Sequence, residues 1–346
     1  MSIVEQTRAF VSRKLLPFVK PKHYYLFAFG MQALSLTAYE SLGSNARLVI
    51  KNVSTASSKI YRLMSNKTIL KNFPRLVQES NLVSKLSFVN VDFSSFCGFE
   101  TLCFGAQTGK GRSIPVWNAC LTYPITFVGS QNLFVLEQLK AFGKTLGFYP
   151  RFVFDRGFWI PIVMKFLLQN KILFYLRIKQ GQILLWKEKG KQQRAKTIGG
   201  FTKDATIILF GYRMRLIVSP PPLKQTNPKK KQNTERWYIL TNDMDSSRED
   251  ILIIYKTRFE IEETFKDLKH IQNLKVLRIK MKKTFTILLW FASLTQWIAW
   301  WVNGKRVVQK VHPKKKRSFF RIFWEELQQA LRLEGLKGIV LSVSPG

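Results

Sequence analysis

Three carboxylates stand in sequence contexts where an unpaired charge is costly, and together they indicate metal chemistry. Asp92 lies within the apolar run "FVNVDFSSF" and Asp155 ends "RFVFD", two runs that predict buried strands. Glu262 lies in "YKTRFEIEETFKDLKH", residues 255–270, which predicts a helix. Buried carboxylates are stable when they are paired or bind a cation, and oxygen-rich sites suit Mg²⁺ or Mn²⁺. Two strands and a helix can bring these side chains to one point, which predicts a metal site.

The predicted helix over residues 255–270 carries a polar face beside an apolar stripe. On a helix with 3.6 residues per turn, its spacings of 3, 4 and 7 residues are close to whole turns. The pattern predicts one carboxylate held between an arginine and a lysine. Ordinary surface charge pairing is the alternative, since each such pair stabilises a helix by only a few tenths of a kcal/mol. The polar face comprises Tyr255, Arg258, Glu262 and Lys269, and the apolar stripe comprises Ile254, Ile261, Phe265 and Leu268.

The composition indicates a polyanionic partner. The 346 residues include 56 Lys and Arg against 21 Asp and Glu, which gives a formal net charge of +35. Such an excess destabilises a folded chain by self-repulsion, so a partner that neutralises it is expected. Nucleic acid is the leading candidate, because cationic side chains that contact phosphates release condensed counterions. A solvated basic surface and an anionic membrane surface are the alternatives.

One segment is long and apolar enough to resemble a membrane span. Residues 284–304, "TFTILLWFASLTQWIAWWVNG", contain no charged side chain. Its polar residues project within about 100° of one another on a helical wheel, which favours a buried core helix over a span. We therefore expect no membrane partner. The polar residues are Thr286, Ser293, Gln296 and Asn303.

The three cysteines and the N-terminal sequence point to a reducing compartment. Cys97, Cys103 and Cys120 are too few for a disulfide framework, and their spacing fits no zinc site. The first residues show no pattern typical of a secretory signal. We expect a cytoplasmic protein.

The chain divides into five predicted segments. Residues 1–85 predict helices with scattered basic residues, either a DNA-binding region or a plain helical cap. Residues 86–170 predict three strands, a helix, a strand and a helix, a pattern typical of an α/β domain with a mixed sheet. Residues 171–250 predict a β-strand-rich insertion with a Pro- and Lys-rich loop, "PPPLKQTNPKKKQNTE". Residues 251–305 return to the core, and residues 306–346 predict a basic tail.

These residues resemble a known family. The chain is similar to bacterial insertion-sequence transposases of the cut-and-paste type, which have a ribonuclease-H-like core and an Asp-Asp-Glu triad. In the most similar branch the glutamate lies in Y-x-x-R-x-x-x-E-x-x-x-x-x-x-K, and the polar face defined above matches all four positions. "DRGF" at Asp155 resembles the second-aspartate motif, "VDFSSF" suits the first, and a β insertion before the glutamate is that branch's arrangement. The resemblance covers residues 86–303.

The resemblance implies a reaction and a set of ligands. It implies two Mg²⁺ or Mn²⁺ ions, with Asp92 bridging them and with Asp155 and Glu262 each completing one site. Water first frees a 3′-OH at the transposon end, and this 3′-OH then attacks DNA. The implied partners are double-stranded DNA, namely the terminal inverted repeats and the target, and a second copy in a homodimer on the nucleoid.

The resemblance also implies DNA contacts. Arg258 and Lys269 would grip phosphates, while Tyr255 would bond a phosphate or stack on a sugar. A hairpin intermediate requires a base to leave the stack. Trp237, in "RWYILTN", matches an aromatic residue that holds this base in relatives, although a tryptophan at the start of a strand is as readily a core residue.

Other functions remain open from the sequence alone. A nuclease or recombinase would use the same core without transposition. A basic DNA-binding protein would not need the triad, and a basic membrane protein would fractionate with membranes. A catalytically inactive transposase remnant would keep the fold and bind DNA without cutting it.

Overall fold

The computed structural model describes residues 52–121, 130–186, 194–220, 236–275, 279–303 and 319–333, together with two isolated positions near the N-terminus. Most of the predicted N-terminal helical region lies outside these ranges. So do nearly all of the predicted Pro- and Lys-rich loop and much of the predicted basic tail.

The centre of the described protein is a mixed sheet of eight strands, accompanied by a two-stranded ribbon. The sheet strands are β1 Phe88–Phe96, β2 Phe99–Ala106, β3 Ile114–Leu121, β4 Arg151–Phe154, β5 Phe174–Ile178, β8 Ala205–Leu209, β9 Tyr212–Val218 and β10 Tyr238–Thr241, and the ribbon strands are β6 Ile183–Trp186 and β7 Arg194–Thr197. The order across the sheet is β3-β2-β1-β4-β5-β10-β9-β8. Strands β1, β4 and β5 are parallel, while β2, β3, β8, β9 and β10 pair antiparallel with their neighbours. The predicted α/β class with a mixed sheet is confirmed, while the ribonuclease-H-like identity of that sheet stays a prediction.

Eight helices occur in the described ranges, and local sequence explains several of their ends. Ser130 accepts a hydrogen bond from the backbone N–H of Leu133 and so caps the third helix, which ends at Gly147 with φ 76°. Pro161 begins the fourth helix, where its missing N–H costs nothing. The helices are α1 Val53–Ser65, α2 Lys67–Glu79, α3 Gln131–Leu146, α4 Pro161–Gln169, α5 Arg248–Lys256, α6 Phe259–Lys266, α7 Lys282–Asn303 and α8 Phe319–Leu333.

The predicted insertion is an extension of the central sheet. Strand β5 lies inside the predicted insertion range of 171–250, yet it pairs parallel with β4 and therefore belongs to the core. This pairing favours a core that continues to the end of β5, while the boundary predicted at residue 171 stays a prediction. Strands β10, β9 and β8 then add antiparallel beyond β5, because β10 pairs with β5 along its length.

Two other elements differ from the sequence prediction. From the sequence, the apolar run "ATIILFGYRMRLIVS" predicts a single strand, but it forms the β8–β9 hairpin, turned at Phe210 and Gly211 with φ 52° and 82°. The glycine accommodates this left-handed turn without strain, and it was the signal for the hairpin. Helix α8 lies within the predicted basic tail of 306–346, and its buried face includes Phe320, Phe323 and Trp324.

Helix α7 occupies the segment that resembles a membrane span. Among the described helices it is long and apolar enough for one, and 83% of its most apolar window is buried inside the protein. Its buried polar groups are paired: Ser293 Oγ accepts a hydrogen bond from Asn118 of β3 at 2.8 Å, and Gln296 contacts Gln272 at 3.4 Å. The predicted packing of this helix in the core agrees with these contacts.

Helix α7 supplies a direct test of the core. Trp297 is fully buried and its indole N–H donates to Pro115 O at 2.5 Å. Trp297→Ala leaves both a cavity and an unpaired carbonyl, so we expect the free energy of unfolding to fall by about 3–5 kcal/mol in urea titrations. Trp301→Ala, one turn later on the same helix, removes a side chain that is 42% exposed. The control should cost about 1 kcal/mol or less, and equal losses would contradict this packing.

Candidate active site

Asp92 and Asp155 lie side by side on two parallel strands, Asp92 in the middle of β1 and Asp155 directly after the end of β4. Val91 of β1 pairs in register with Phe154 of β4, so the next residue of each chain brings the two aspartates to neighbouring positions. Neighbouring strands are about 4.8 Å apart, and paired residues point to the same face of the sheet. Both carboxylates therefore project from one face.

Glu262 reaches this pair through Arg258. The Arg258 guanidinium lies 2.6 Å from Glu262 Oε1 by its Nη2 atom and 3.4 Å from Asp92 Oδ2 by its Nη1 atom. The charge of Asp155 also acts on Arg258. The structure thus brings the three predicted carboxylates around one arginine, which joins β1 and β4 to α6.

Arg258 is enclosed by its neighbours. Its side chain is 4% exposed, and its guanidinium carbon lies 4.7 Å from the centre of the Phe259 ring and 5.9 Å from that of Tyr255. Although burial lowers the pKa of a guanidinium, the charges of Tyr255, Asp155, Glu262 and Asp92 together raise it. Arg258 is therefore a permanent positive charge at the centre of the site.

Tyr255 supports the second aspartate. Its side chain is fully buried, and its hydroxyl donates to Asp155 Oδ1 at 3.4 Å. Burial raises the pKa of the phenol, and the Asp155 charge adds to this effect while Arg258 opposes it. The hydroxyl therefore stays protonated and orients Asp155, and the predicted DNA contact of Tyr255 stays a prediction.

The single continuous helix predicted for residues 255–270 is wrong. Helix α5 ends at Lys256, α6 begins at Phe259, and a π-helical turn follows at Asp267–Ile271. The break and the turn rotate Lys269 away from Glu262, and its ammonium lies 5.1 Å from the centre of the Phe96 ring. Lys269 thus packs against Phe96 at the C-terminal end of β1, four residues beyond Asp92, so the four signature residues do not share one face.

The other carboxylates of α6 and of the π-helical turn hold the β2–β3 turn. Buried Glu260 accepts hydrogen bonds from the backbone N–H groups of Thr108 and Gly111, each at 2.8 Å. Arg112 lies 2.6 Å from Asp267 and 3.4 Å from Glu263. The acidic residues of α6 and the π-helical turn therefore have two functions. Glu262 faces Asp92, while its acidic neighbours attach α6 to the sheet. The sequence did not predict the second function, although the turn "TGKG" offers backbone N–H groups to an anion.

A buried polar network holds the break between α5 and α6. Asn90 of β1 accepts from Gln107 Nε2 at 2.6 Å and donates to Ser113 Oγ at 2.8 Å and Thr257 O at 3.4 Å. The Thr257 hydroxyl donates to Gln107 Oε1 at 2.5 Å. Asn90 lies two residues before Asp92, so this network ties the break to the strand that carries the first aspartate. Its signal was an asparagine inside the apolar run "FVNVDF".

Burial and like charges disfavour ionisation of Asp92. Burial, followed by the nearby charges of Asp155 and Glu262, outweighs the opposing effects of Arg258 and the Phe93 N–H and raises the pKa of Asp92 to about 6. The three carboxylates therefore carry more negative charge than Arg258 alone neutralises, which is the electrostatic condition for cation binding.

The donor chemistry of the site fits a hard divalent cation. Three carboxylates supply oxygen atoms of the kind that Mg²⁺ and Mn²⁺ prefer. In the part of the chain that the structure describes, no group of three carboxylate, histidine or cysteine side chains is already close enough to hold an ion. Arg258 contacts oxygen atoms of both Asp92 and Glu262 instead.

Trp237 lies beside the site. Its ring centre is 5.5 Å from that of Tyr255 and 6.0 Å from that of Phe259, and its side chain is half-buried. It packs against the small apolar cluster under α5, as a core residue does. Its partial exposure next to Phe259 also suits contact with a base, so the predicted DNA role of Trp237 stays a prediction.

The chain is similar to known proteins at the level of a domain. Residues 134–298 match the family model of the transposase DDE domain, a range that includes Asp155 and Glu262. A similar solved structure is that of the piggyBac transposase synaptic complex with hairpin DNA, at a TM-score of 0.48 and 11% identity, covering 99% of this chain and 83% of that one. No curated protein matches the chain. The resemblance to DDE transposases is confirmed, while the four-residue signature and the bacterial insertion-sequence type stay predictions.

The raised pKa of Asp92 predicts that this carboxylate lowers stability at high pH. The folded state holds the proton more tightly than the unfolded state, so stability is lost as pH rises from about 4 to about 6. Asp92→Asn removes this loss. We expect it to raise the free energy of unfolding at pH 8 by about 1–3 kcal/mol in EDTA, and to change little near pH 4.5.

A control with the opposite sign is Asp243→Asn. Burial raises the pKa of Asp243, but hydrogen bonds from Ser246, Tyr175 and the Asp245 N–H outweigh it and hold the pKa at about 2. This residue stabilises the fold above pH about 4, so its replacement should lower stability at pH 8. Urea titrations at both pH values check the pair, and destabilisation by Asp92→Asn at pH 8 would contradict the assignment.

The polar network predicts that Thr257 acts on catalysis by position. Thr257→Val removes the hydroxyl that holds Gln107 and so loosens the break before α6. A displacement of Glu262 by about 1 Å is enough to slow cleavage by about tenfold or more, with DNA affinity unchanged. Thr257→Ser keeps the hydroxyl and is the matched control. The cleavage rates are measured at saturating DNA. Equal rates for the two variants would show that the Thr257 hydroxyl does not position Glu262.

Proposed function

We propose that this chain, which carries a transposase DDE domain over residues 134–298, is a metal-dependent DNA transposase that cuts transposon ends and joins them to target DNA. One observation supports this most directly. Asp92 and Asp155 stand in register on neighbouring parallel strands, and Arg258 connects Glu262 to Asp92. Three carboxylates from distant parts of the chain lie around one arginine in a protein of net charge +35.

The proposed roles of the carboxylates follow from their positions. Asp92 stands between Asp155 on the adjacent strand and Glu262 across Arg258, so it is the ligand placed to serve two ions. Asp155 and Glu262 would each complete one ion's coordination. Two Mg²⁺ or Mn²⁺ ions, when bound, supply activation of the attacking oxygen and stabilisation of the leaving oxygen.

Residues around the triad orient it. Tyr255 holds Asp155 by its hydroxyl, and the polar network of Asn90 and Thr257 sets where α6 begins. We therefore assign Tyr255 to positioning. Lys269 and Trp237 remain proposed DNA contacts, the first for a phosphate and the second for a base displaced in a hairpin intermediate.

The proposed partners follow from charge and reaction. An excess of 35 positive charges favours a phosphate backbone, and transposition needs terminal inverted repeats and a target duplex. A homodimer that joins two ends, acting at the nucleoid in the cytoplasm, completes the proposal.

Cleavage of a labelled duplex tests the function. The duplex carries the terminal repeat that flanks the gene, and the reaction contains Mg²⁺ or Mn²⁺. We expect nicking followed by hairpin or joined products. Glu262→Ala and Asp155→Ala should each reduce cleavage more than about 100-fold, because even outer-shell partners of metal ligands are worth 10–100-fold.

Glu263→Ala is the matched control. Glu263 is the adjacent carboxylate on α6, and it pairs with Arg112 and Lys266 outside the site. Its loss should leave cleavage within about threefold of wild type, as for surface changes away from a site. Tight DNA binding by the wild type without any cleavage would instead identify an inactive remnant or a DNA-binding protein.

A further inference from the structure

Arg258 is buried among the triad carboxylates and does not face outward toward a DNA backbone. A side chain that contacts a phosphate backbone must reach the surface, but this one is 4% exposed and points into the carboxylates. Its two terminal nitrogens are both directed at triad oxygens, one to Asp92 and one to Glu262. The arrangement requires a task for Arg258 in the protein before DNA binds.

The contacts of Arg258 show what that task is. It approaches Asp92 Oδ2 and Glu262 Oε1, which are oxygen atoms that a divalent cation would need. Arg258 thus supplies the positive charge that a metal ion would supply. It would compete with such an ion for the same oxygen atoms.

The side chain is held in a way that allows it to leave. Its Nε atom is buried without a hydrogen-bond partner, so the guanidinium is held by its two carboxylate contacts and by aromatic packing. One of those rings, Phe259, is 37% exposed and lies 4.7 Å from the guanidinium carbon. A guanidinium stacks on such a ring face over a range of positions, so Phe259 provides a path from the triad toward solvent.

We propose that Arg258 is an exchangeable internal counter-ion: it occupies the triad before loading, lowers the site's affinity for divalent cations, and releases Asp92 and Glu262 when it moves to a DNA phosphate. The inference rests on the proposed function and concerns the regulation of the same site. Because coupling between two ligands is reciprocal, DNA that attracts Arg258 outward raises the affinity of the carboxylates for metal. Metal loading is thereby tied to the presence of substrate.

The counter-ion role gives Arg258→Gln two opposite effects. Without DNA, the variant should bind Mn²⁺ about tenfold more tightly than wild type, within the usual range of coupling between sites. With DNA, it should cleave more slowly, because no guanidinium reaches the phosphate. Mn²⁺ affinity is measured by the electron paramagnetic resonance signal of free Mn²⁺, which does not depend on activity.

Arg112→Gln is the matched control. Arg112 is also mostly buried and paired with acidic residues of the same region, Glu263 and Asp267, but it does not contact the triad. Its replacement should leave Mn²⁺ affinity unchanged. The gain in Arg258→Gln should also vanish when Glu262→Gln is added, which shows that the stronger site is the triad.

Uncleavable DNA supplies a second readout. A duplex that ends at the cleavage site in a 3′-dideoxy nucleotide can be neither cut nor joined, and it should tighten Mn²⁺ binding to wild type but should not tighten it further in Arg258→Gln. If Arg258→Gln is unfolded without metal, Mn²⁺ should restore its circular dichroism spectrum, since the ion replaces the lost charge. Failure to refold would overturn the proposal.

The possible failures are distinguishable. Unchanged or weaker Mn²⁺ binding by folded Arg258→Gln would overturn the counter-ion role while leaving the transposase proposal standing, provided that wild type cuts DNA. If the double variant Asp92→Ala, Glu262→Ala binds Mn²⁺ as tightly as wild type does, and wild type cleaves no DNA, the proposed function itself is overturned.

Discussion

A buried charge requires an opposite charge, and in this protein that requirement is met at Arg258. Parallel pairing of β1 and β4 sets Asp92 beside Asp155. The basic residue of these two strands, Arg151, lies over the Phe88 ring where both strands begin, so a third element brings a cation to the aspartates together with Glu262. Leaving three carboxylates without Arg258 would uncover a buried charge, one of the most destabilising changes available to a fold. The register of β1 with β4 and the placement of α6 are therefore linked by the electrostatic contacts of Arg258.

The break before α6 has a packing reason as well as a polar one. Ile251 and Tyr255 of α5 belong to the small apolar cluster on one side of the sheet, while Ile261 and Phe265 of α6 belong to the main core. One straight helix cannot serve both clusters, so the chain bends between them. Thr257 and its partners satisfy polar groups exposed by that bend, as buried polar groups require.

Local patterns predicted the elements, and contacts between distant residues decided the site. Apolar runs and caps at Ser130 and Gly147 predicted strands and helices where they occur. The three carboxylates were predicted from their costly contexts. Helical periodicity alone put Lys269 beside Glu262, because a wheel assumes an unbroken helix. The roles of Glu260 and Thr257 depend on partners about 150 residues away, which no local pattern contains.

The strands beyond β5 widen the sheet and also protect its edge from aggregation. Without β10, β5 would end the parallel core as a bare edge, with a row of free N–H and C=O groups facing outward. Such an edge recruits strands from other molecules and promotes aggregation. The inserted strands close that edge, so they cannot be excised or exchanged as an independent module. Shuffling of this region between relatives is confined to changes that keep a strand paired with β5.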